Sequence, residues 1–403
     1  MQNSLQSRID DYIKEIIPDT VRFRQRRHSY PELKWHENQT AAEISAELKK
    51  IPGLVVHENI GKLGVIAILE GEHPGPTVAL RADMDALPIK EKNDFSYKSQ
   101  HEGVHHACGH DGHMANLLGA AKILSRMQAD IHGRIKFIFQ PAEEGGAGAK
   151  YMIEDGALEN PDVDVIFGLH GWPKLPCSNI GTKSGPILAA TSEFKIKIQG
   201  KGGHAAMPHL AVDPILLGAR VVESIQAISS RYVDPTDPVV VSITSFQGGR
   251  AFNVIPEEVE LQGTLRTVSP ETQEQCVTLI RNMLKGICTA HGGNGLLEII
   301  SAYPATCNHE KPVDFIEKTA NDILPAGSFT RLSVPSLGGE DFAYFLEKIP
   351  GAFFFLGLDD GRPDGYPSLH HPQFDFNDKA LANGMKMFVH LALKWDQFVK
   401  QTI

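Results

Sequence analysis

The pattern of predicted elements changes twice along this chain, and this change constrains the fold more than any other feature. Up to about residue 187, helical and strand patterns alternate, as they do in α/β domains. From about Ser192 the order becomes strand, helix, strand, strand, helix, strand, and after Pro304 the alternation returns. Six elements in that order form a ferredoxin-like unit that closes on itself. The sequence therefore predicts an α/β domain, residues 1–187 and 305–403, interrupted by a smaller α+β domain over 188–304.

Short apolar runs favour a mixed, mostly parallel sheet in the larger domain. Arg134–Phe139 and Val163–Leu169 show the continuous apolar pattern of strands that helices cover on both faces. The other strands predicted for this domain are Gly64–Glu70, Thr77–Arg81 and Gly351–Leu358. The helices predicted for it are Asp19–Arg27, Gln39–Lys50, Met114–Met127, Pro312–Ile323, one from Asp341, and Lys379–Phe398.

Helix start and stop residues define the inserted unit. Asp213 and Pro214 supply an N-cap and a first-turn proline to one helix. Ser269 and Pro270 open a second helix, which ends at the glycine pair 292–293. The predicted strands are Phe194–Lys201, Val239–Phe246, Glu258–Thr267 and Leu296–Tyr303. A cleft between two such domains is a natural place for a ligand.

Length, charge and cysteine content exclude several classes of protein. A chain of 403 residues predicts about two or three domains. Lysine and arginine number 39 against 49 aspartates and glutamates, a net charge of -10, and no basic block occurs. Nucleic acid is therefore not an expected partner. Five scattered cysteines do not form a disulfide framework. Because residues 1–11 are polar and no window holds roughly 18 apolar residues, we expect a cytoplasmic protein with no membrane partner.

The densest group of reactive side chains is the segment HHACGHDGHMA, residues 105–115. Cys108 and His110 lie in it beside further histidines and Asp111. Thiolate and imidazole are preferred ligands of zinc and similar divalent metals. The helix that follows would stabilise a thiolate through its N-terminal dipole. A solvated histidine-rich loop is the alternative interpretation of this segment alone.

Further polar groups follow predicted strands at their C-terminal ends, where open α/β sheets place their active sites. They are Asp83 with Asp85, Glu143 with Glu144, His170, and His370 with His371. Taken singly, the histidines could be structural and the glutamates a solvated pair. In QPAEEGGAG, however, proline and glycines fix the backbone so that two carboxylates can enter one site in different roles. One could bind metal while the other acts as a general base.

Ten motifs run in order from Arg26 to Pro372: RRHSYPEL, RADMDALP, HACGHDGHMA, FQPAEEGGAGA, GLHGWP, GKGGHAAMPH, FNVIP, GTLRT, LGGEDF and LHHP. Together they closely resemble the dinuclear metal-dependent amidohydrolases. That family includes bacterial N-acyl-amino-acid amidohydrolases, hippurate hydrolases and plant indoleacetyl-amino-acid hydrolases. The resemblance covers nearly the whole chain, and it implies a catalytic α/β domain with an inserted lid and dimerisation domain.

The resemblance also implies the roles of individual residues. The metal ligands it implies are Cys108, His110, Glu144, His170 and His370, which would hold two divalent ions per subunit: zinc, manganese, cobalt or nickel. Glu143 would be the general base. Asp85 and Asp111 would orient ligating imidazoles.

For the inserted domain, the resemblance assigns roles to three residues. His204, by itself an ordinary turn histidine, would reach the neighbouring subunit's metal site and stabilise the oxyanion. Asn253 and Arg266 would bind the substrate carboxylate, which suits the forked guanidinium. A homodimer formed through the inserted domain is therefore expected.

The expected activity is hydrolysis of the amide bond of N-acyl amino acids. Apart from a second copy of the chain, the expected binding partner is this small-molecule substrate. Three alternatives stay open. The same site could serve a dipeptidase or an N-acetyl-diaminopimelate deacetylase. Cys108 paired with His110 could act as a thiol amidase without metal. A regulatory protein could have kept the metal site and lost turnover, although the intact set of predicted site residues argues against it.

Overall fold

The structure is a computed structural model that describes residues 2–401. Its helices are α1 (Gln2–Ser29), α2 (Asn38–Lys49), α3 (His110–Leu124), α4 (Glu143–Gly146), α5 (Gly148–Glu154), α6 (Pro214–Gln226), α7 (Pro270–Ala290), α8 (Glu310–Ile323), α9 (Ala343–Leu346) and α10 (Leu381–Gln401).

The strands are β1 (Leu54–Ile60), β2 (Gly64–Glu70), β3 (His73–Asp83), β4 (His132–Gln140), β5 (Val165–Pro176), β6 (Ile180–Thr182), β7 (Gly185–Leu188), β8 (Ala190–Gln199), β9 (Gly203–His204), β10 (Val240–Gly248), β11 (Val254–Ile255), β12 (Glu258–Thr267), β13 (Asn294–Tyr303), β14 (Thr306–Asn308), β15 (Phe329–Arg331) and β16 (Gly351–Asp359).

The chain separates into two compact units. The first comprises Met1–Ile187, Cys307–Val334 and Asp341–Ile403, and the second comprises Leu188–Thr306 and Pro335–Glu340. The short segment Pro335–Glu340 differs from the sequence-based boundaries, which placed it in the larger domain. Its backbone explains the difference, because Gly338 accepts a hydrogen bond from the Ala189 amide at 2.9 Å.

The first unit is built on an eight-stranded sheet with the order β1-β2-β4-β3-β5-β16-β6-β15. Its central run, from β4 through β3 and β5 to β16, is parallel. Antiparallel pairs occur between β1 and β2, β2 and β4, and β16 and β6. This arrangement confirms the α/β class with a mixed, mostly parallel sheet. The carboxyl ends of the parallel strands consequently meet at one edge.

Helices α1, α3 and α10 pack together against this sheet. Every residue of α3 except Lys122 is buried, so this helix is enclosed on all sides. Helix α1 is much longer than the predicted Asp19–Arg27, since it runs through Pro18. Buried Ile9, Ile13 and Ile16 contribute to the main core before that proline. Their packing outweighs the roughly 3 kcal/mol cost of an interior proline.

The second unit contains a four-stranded antiparallel sheet with the order β10-β12-β8-β13. Numbered within the unit, this is strand order 2-3-1-4 of a βαββαβ motif, which confirms the ferredoxin-like prediction. Both expected N-caps are present: Asp213 accepts from the Ile215 amide at 2.9 Å, and Ser269 accepts from the Thr272 amide at 3.1 Å. Helices α6 and α7 cover one face of the sheet and enclose a separate apolar core.

Two further differences concern short elements. Strand β1 was not predicted, and the helix expected from Asp341 is only the single turn α9. Among residues 2–401, no helix combines the length and the apolar character needed to cross a membrane.

Candidate metal centre

The predicted ligands lie at the carboxyl edge of the parallel strands in the first unit. Asp83, the last residue of β3, is the register partner of Gln140, the last residue of β4. His170 lies in the next strand, β5, and α3 begins at His110. Parallel pairing therefore brings segments together that are far apart in sequence.

All five predicted metal ligands form one continuous cluster. The Cys108 Sγ atom lies 3.4 Å from His170 Nε2. Ligand atoms of Cys108, His110 and His170 are all within 4.8 Å of one another, as are those of Cys108, Glu144 and His370. The two groups share Cys108. This arrangement places one thiol between two sets of nitrogen and oxygen donors.

His370 joins this cluster through an unusual backbone. Its φ angle is 65°, in the left-handed region that non-glycine residues seldom adopt. The His370 amide donates to the carbonyl of Ala107 at 2.8 Å, which ties the loop to the residue before Cys108. Its Nε2 atom consequently lies 3.4 Å from Glu144 Oε1, although the side chain is 52% exposed.

Two buried carboxylates hold the loop that carries Glu143 and Glu144. Asp85 accepts hydrogen bonds from both of their amides, at 3.0 and 2.9 Å. Glu37 accepts from the amide of Ala142 at 2.7 Å, and Ala142 has a left-handed φ of 54°. Three successive amides are thus bound by side chains, so the orientation of the loop depends on Glu37 and Asp85. Sequence reasoning missed Glu37, for which no motif gave a signal.

Asp85 Oδ1 also lies 3.4 Å from His110 Nδ1, which is close to the imidazole that the resemblance implies it would orient. Asp111 does not contact a predicted ligand in this way. Its Oδ2 lies 2.9 Å from His28 Nδ1 and 3.3 Å from Arg24 Nη1. The physical reason is helix geometry, because consecutive residues of α3 point in different directions.

His113 shows why a histidine of the same motif is not available as a ligand. Its Nε2 accepts a hydrogen bond from the Gly171 amide at 2.8 Å. The proton of the neutral ring is therefore on Nδ1, which donates to Asp83 Oδ1 at 2.6 Å. Both ring nitrogens are occupied, and His113 positions Asp83 next to His110.

The LGGEDF motif contributes Asp341 to a buried polar network behind the centre. Arg81 donates to Asp83 at 2.8 Å and to Asp341 at 3.1 Å. Asp341 also accepts from the Gln140 side chain and from the Ala149 amide, at 2.7 and 3.0 Å. The network holds the far end of the glutamate loop. The sequence marked the motif but gave no role for it.

The electrostatics of the cluster favour a cation. Burial lowers the pKa of His110, but Asp83, Asp85 and Glu144 outweigh burial and raise it to about 10. Burial and the neighbouring carboxylates, Glu144 first, raise the pKa of the Cys108 thiol. A raised thiol pKa is the opposite of what an activated cysteine nucleophile needs. This observation counts against a metal-free thiol amidase.

An orphaned polar atom shows that these residues fit divalent metals. The Nε2 atom of His110 is buried and has no hydrogen-bond partner among the described residues. Buried polar atoms are normally paired because an unpaired one costs about 1–3 kcal/mol. Thiol, imidazole and carboxylate donors in overlapping groups of three match the ligands of zinc and related metals.

The remaining predicted site residues belong to the second unit. His204 is exposed, and its Nδ1 accepts from the Ala206 amide at 3.1 Å. The ring proton of neutral His204 is consequently on Nε2, which makes that atom a donor. Asn253 is also exposed. Its backbone carbonyl accepts a hydrogen bond from the Ala205 amide at 3.0 Å, so Asn253 lies beside His204. Arg266 is partly buried in β12, where burial lowers its pKa and Glu193 opposes the shift.

Comparison with known proteins identifies the family. Residues 79–394 match the profile of Peptidase family M20/M25/M40. The chain belongs to this family. N-acetyl-L-cysteine deacetylase of Bacillus subtilis (strain 168) is 40% identical over 366 residues, covering 90% of this chain and 84% of that protein. Thermostable carboxypeptidase 1 of Saccharolobus solfataricus is 37% identical over 395 residues, covering 97% and 99%.

A solved structure extends the similarity to the fold. The YXEP protein of Bacillus subtilis, described as a dinuclear metal binding peptidase from the M20 family, superposes with a TM-score of 0.82 at 33% identity. The match covers 95% of this chain and 99% of that one. Membership confirms the family predicted from the motifs and places the protein among metal-binding enzymes that hydrolyse amide bonds.

Proposed function

We propose that this protein hydrolyses the amide bond of N-acyl amino acids, releasing a carboxylate and a free amino acid. Two divalent cations per subunit would be held by Cys108, His110, Glu144, His170 and His370. The observation that carries the proposal is the shared position of Cys108 in two ligand groups, each within 4.8 Å. One thiolate common to both groups suits a pair of ions better than a single ion.

When bound, such a pair of cations would lower the pKa of a water molecule and polarise the amide carbonyl. Glu143 takes the proton of the attacking water and delivers it to the leaving amine. Its backbone amide is held by Asp85 at 3.0 Å, and the residue is only 6% exposed. The hydrogen bond fixes the backbone from which the carboxylate of the base extends.

The substrate class rests on the second unit and on the relatives. A relative at 40% identity is named for deacetylation of an N-acetyl amino acid. Arg266 and Asn253 would bind the free carboxylate of such a substrate. His204 Nε2 would donate to the oxyanion that develops from the amide carbonyl.

We further propose that the active unit is a homodimer formed through the second unit. Large apolar side chains around His204 are exposed: Met207, Leu210, Phe252 and Val254. Phe252, next to Asn253, is fully exposed. Contiguous exposed apolar groups of this kind favour a protein partner, and a second copy would bring His204 to the partner's metal centre.

A second candidate is a peptidase, because one relative is named as a carboxypeptidase. A panel of acetyl, benzoyl and indoleacetyl amino acids, dipeptides and N-acetyl-diaminopimelate separates the candidates. We expect the metal-loaded protein to prefer the N-acyl amino acids. A preference for dipeptides would replace the proposed substrate while leaving the chemistry in place.

Metal dependence tests the chemistry itself. Dialysis against a chelator should abolish hydrolysis, and restoring zinc, manganese, cobalt or nickel should recover it. Full activity in protein that elemental analysis shows to be metal-free would refute the two-metal proposal. It would return attention to Cys108 as a nucleophile.

A further inference from the structure

A second group of metal-ligating side chains lies outside the centre described above. His28, from α1, has its Nε2 atom 3.0 Å from Glu91 Oε1. His105 Nε2 lies 3.6 Å from the same oxygen. The ligand atoms of the three residues are within 4.8 Å of one another. Both imidazoles are fully buried, and the Glu91 side chain is 5% exposed.

Asp111 orients one of these imidazoles. Its Oδ2 atom lies 2.9 Å from His28 Nδ1. Nε2 lies 3.0 Å from Glu91 Oε1, and although burial lowers the pKa of His28, Asp111 and Glu91 outweigh burial and raise it to about 9. A cation bound at Nε2 would therefore replace a proton that this imidazole donates to Glu91. A carboxylate behind the second nitrogen is the usual arrangement for a metal-ligating histidine. Asp111 therefore orients His28 and not one of the predicted ligands.

His105 supplies an independent observation. Its Nε2 atom is buried and has no hydrogen-bond partner among residues 2–401. Burial, with His28 nearby, lowers the pKa of His105 to about 4, so the ring is neutral at physiological pH. An unpaired buried imidazole nitrogen needs an acceptor if it carries the proton, and a donor or a cation if it does not. Glu91 Oε1, at 3.6 Å, lies beyond hydrogen-bond distance of that nitrogen.

The surrounding charge is negative. Arg24 contacts Asp111, Asp375 and Asp378 at 3.3, 2.5 and 2.9 Å. Together with Glu91, four carboxylates surround this region, and one guanidinium and the His28 imidazole compensate them. The side chains of Asp111 and Glu91 are buried, and buried carboxylates that lack enough positive charge are costly, whereas Asp375 and Asp378 are partly exposed. A divalent cation would reduce the imbalance.

We propose that His28, Glu91 and His105 form a further divalent-cation site, separate from the five-ligand centre. Two imidazole nitrogens and one carboxylate oxygen suit zinc, cobalt or nickel rather than magnesium or calcium. The ion would connect α1 with the loop that leads into Cys108 and α3. Its role would be to hold this loop in place.

The site can be tested in protein whose five-ligand centre has been dismantled. Cobalt is added to the metal-free Cys108→Ala/His110→Ala variant, excess metal is removed by gel filtration, and cobalt per chain is measured by elemental analysis. We expect one ion per chain. Adding His105→Phe, which keeps a ring of similar size, should remove that ion. His57→Phe makes the same substitution at an exposed histidine and should retain it.

A parallel measurement avoids dependence on the folding of the multiple variants. Native mass spectrometry of the zinc-loaded full chain should show one ion fewer in His105→Phe, and likewise in Glu91→Gln, than in the unsubstituted protein. Circular dichroism establishes that each single variant is folded. Equal metal content with and without these substitutions would overturn the proposal and would leave a proton on His28 as the occupant. If the five-ligand centre binds no metal, the result should differ: the unsubstituted chain should hold a single ion, and His105→Phe should remove it.

Discussion

Replacing Glu37 by glutamine should change how stability depends on pH. Glu37 is fully buried, and its carboxylate oxygen accepts from the Ala142 amide. Burial, followed by the repulsion of Asp85, raises the pKa of Glu37 from 4.5 to about 8. Glutamine retains an oxygen that can accept the same hydrogen bond. The substitution therefore removes the titration while keeping the contact.

The sign and magnitude follow from proton linkage. Between about pH 4.5 and 8, folded Glu37 holds a proton that the unfolded chain has released. This group's contribution to the free energy of unfolding is thus complete below pH 4.5 and falls as pH rises through 8. The slope is about 1.4 kcal/mol per pH unit. Glu37→Gln should lack this component, so its stability relative to the unsubstituted protein should increase from pH 5 to pH 8.

Urea unfolding of chelator-treated protein at pH 5, 6, 7 and 8 measures this difference directly. Removing metal ensures that bound cations do not change the local charge. Glu72→Gln is the matched control, because it removes one carboxylate from an exposed position. Parallel stability curves for the unsubstituted protein and Glu37→Gln would refute the reasoning. They would show that Glu37 ionises normally in the folded state.

Three further outcomes follow from the proposed site. Glu143→Ala should retain its metal and lower kcat by on the order of a hundred- to ten-thousand-fold. Glu144→Ala should lower kcat and also lose metal, as measured by elemental analysis. The reverse pattern of metal loss would exchange the roles of the two glutamates. N-acyl amino acids whose carboxylate is amidated should be hydrolysed with a lower kcat/KM than the free acids, and Arg266→Ala should remove that difference. Equal kcat/KM for the two substrates in the unsubstituted enzyme would exclude a contact between Arg266 and the substrate carboxylate. Mixing Glu143→Ala and His204→Ala proteins should restore activity after subunit exchange; verified exchange without recovery would place His204 outside the partner's site.

Local sequence patterns were sufficient where the structure depends on neighbouring residues. The N-caps Asp213 and Ser269 and the order of the six inserted elements could be read directly, because capping and strand-helix periodicity are local properties. The five predicted ligands could be named only through the resemblance of their motifs to the family, because residue chemistry alone left structural histidines and a solvated glutamate pair as alternatives. The length of α1 could not be predicted in this way, since packing on α3 and α10 overrides Pro18.

The sequence by itself determined the fold class and the family, and it predicted the donor groups. Only the tertiary structure decided how those groups are used. His113 and His110 belong to one motif, yet their surroundings differ. The Gly171 amide donates to His113, whereas His110 faces the carboxylate of Asp83. Glu37 and Asp341 bear on the glutamate loop from 105 and 192 residues away along the chain. Hydrogen bonds over such distances arise from the sheet register and the packing of the core, and a local pattern of residues contains neither.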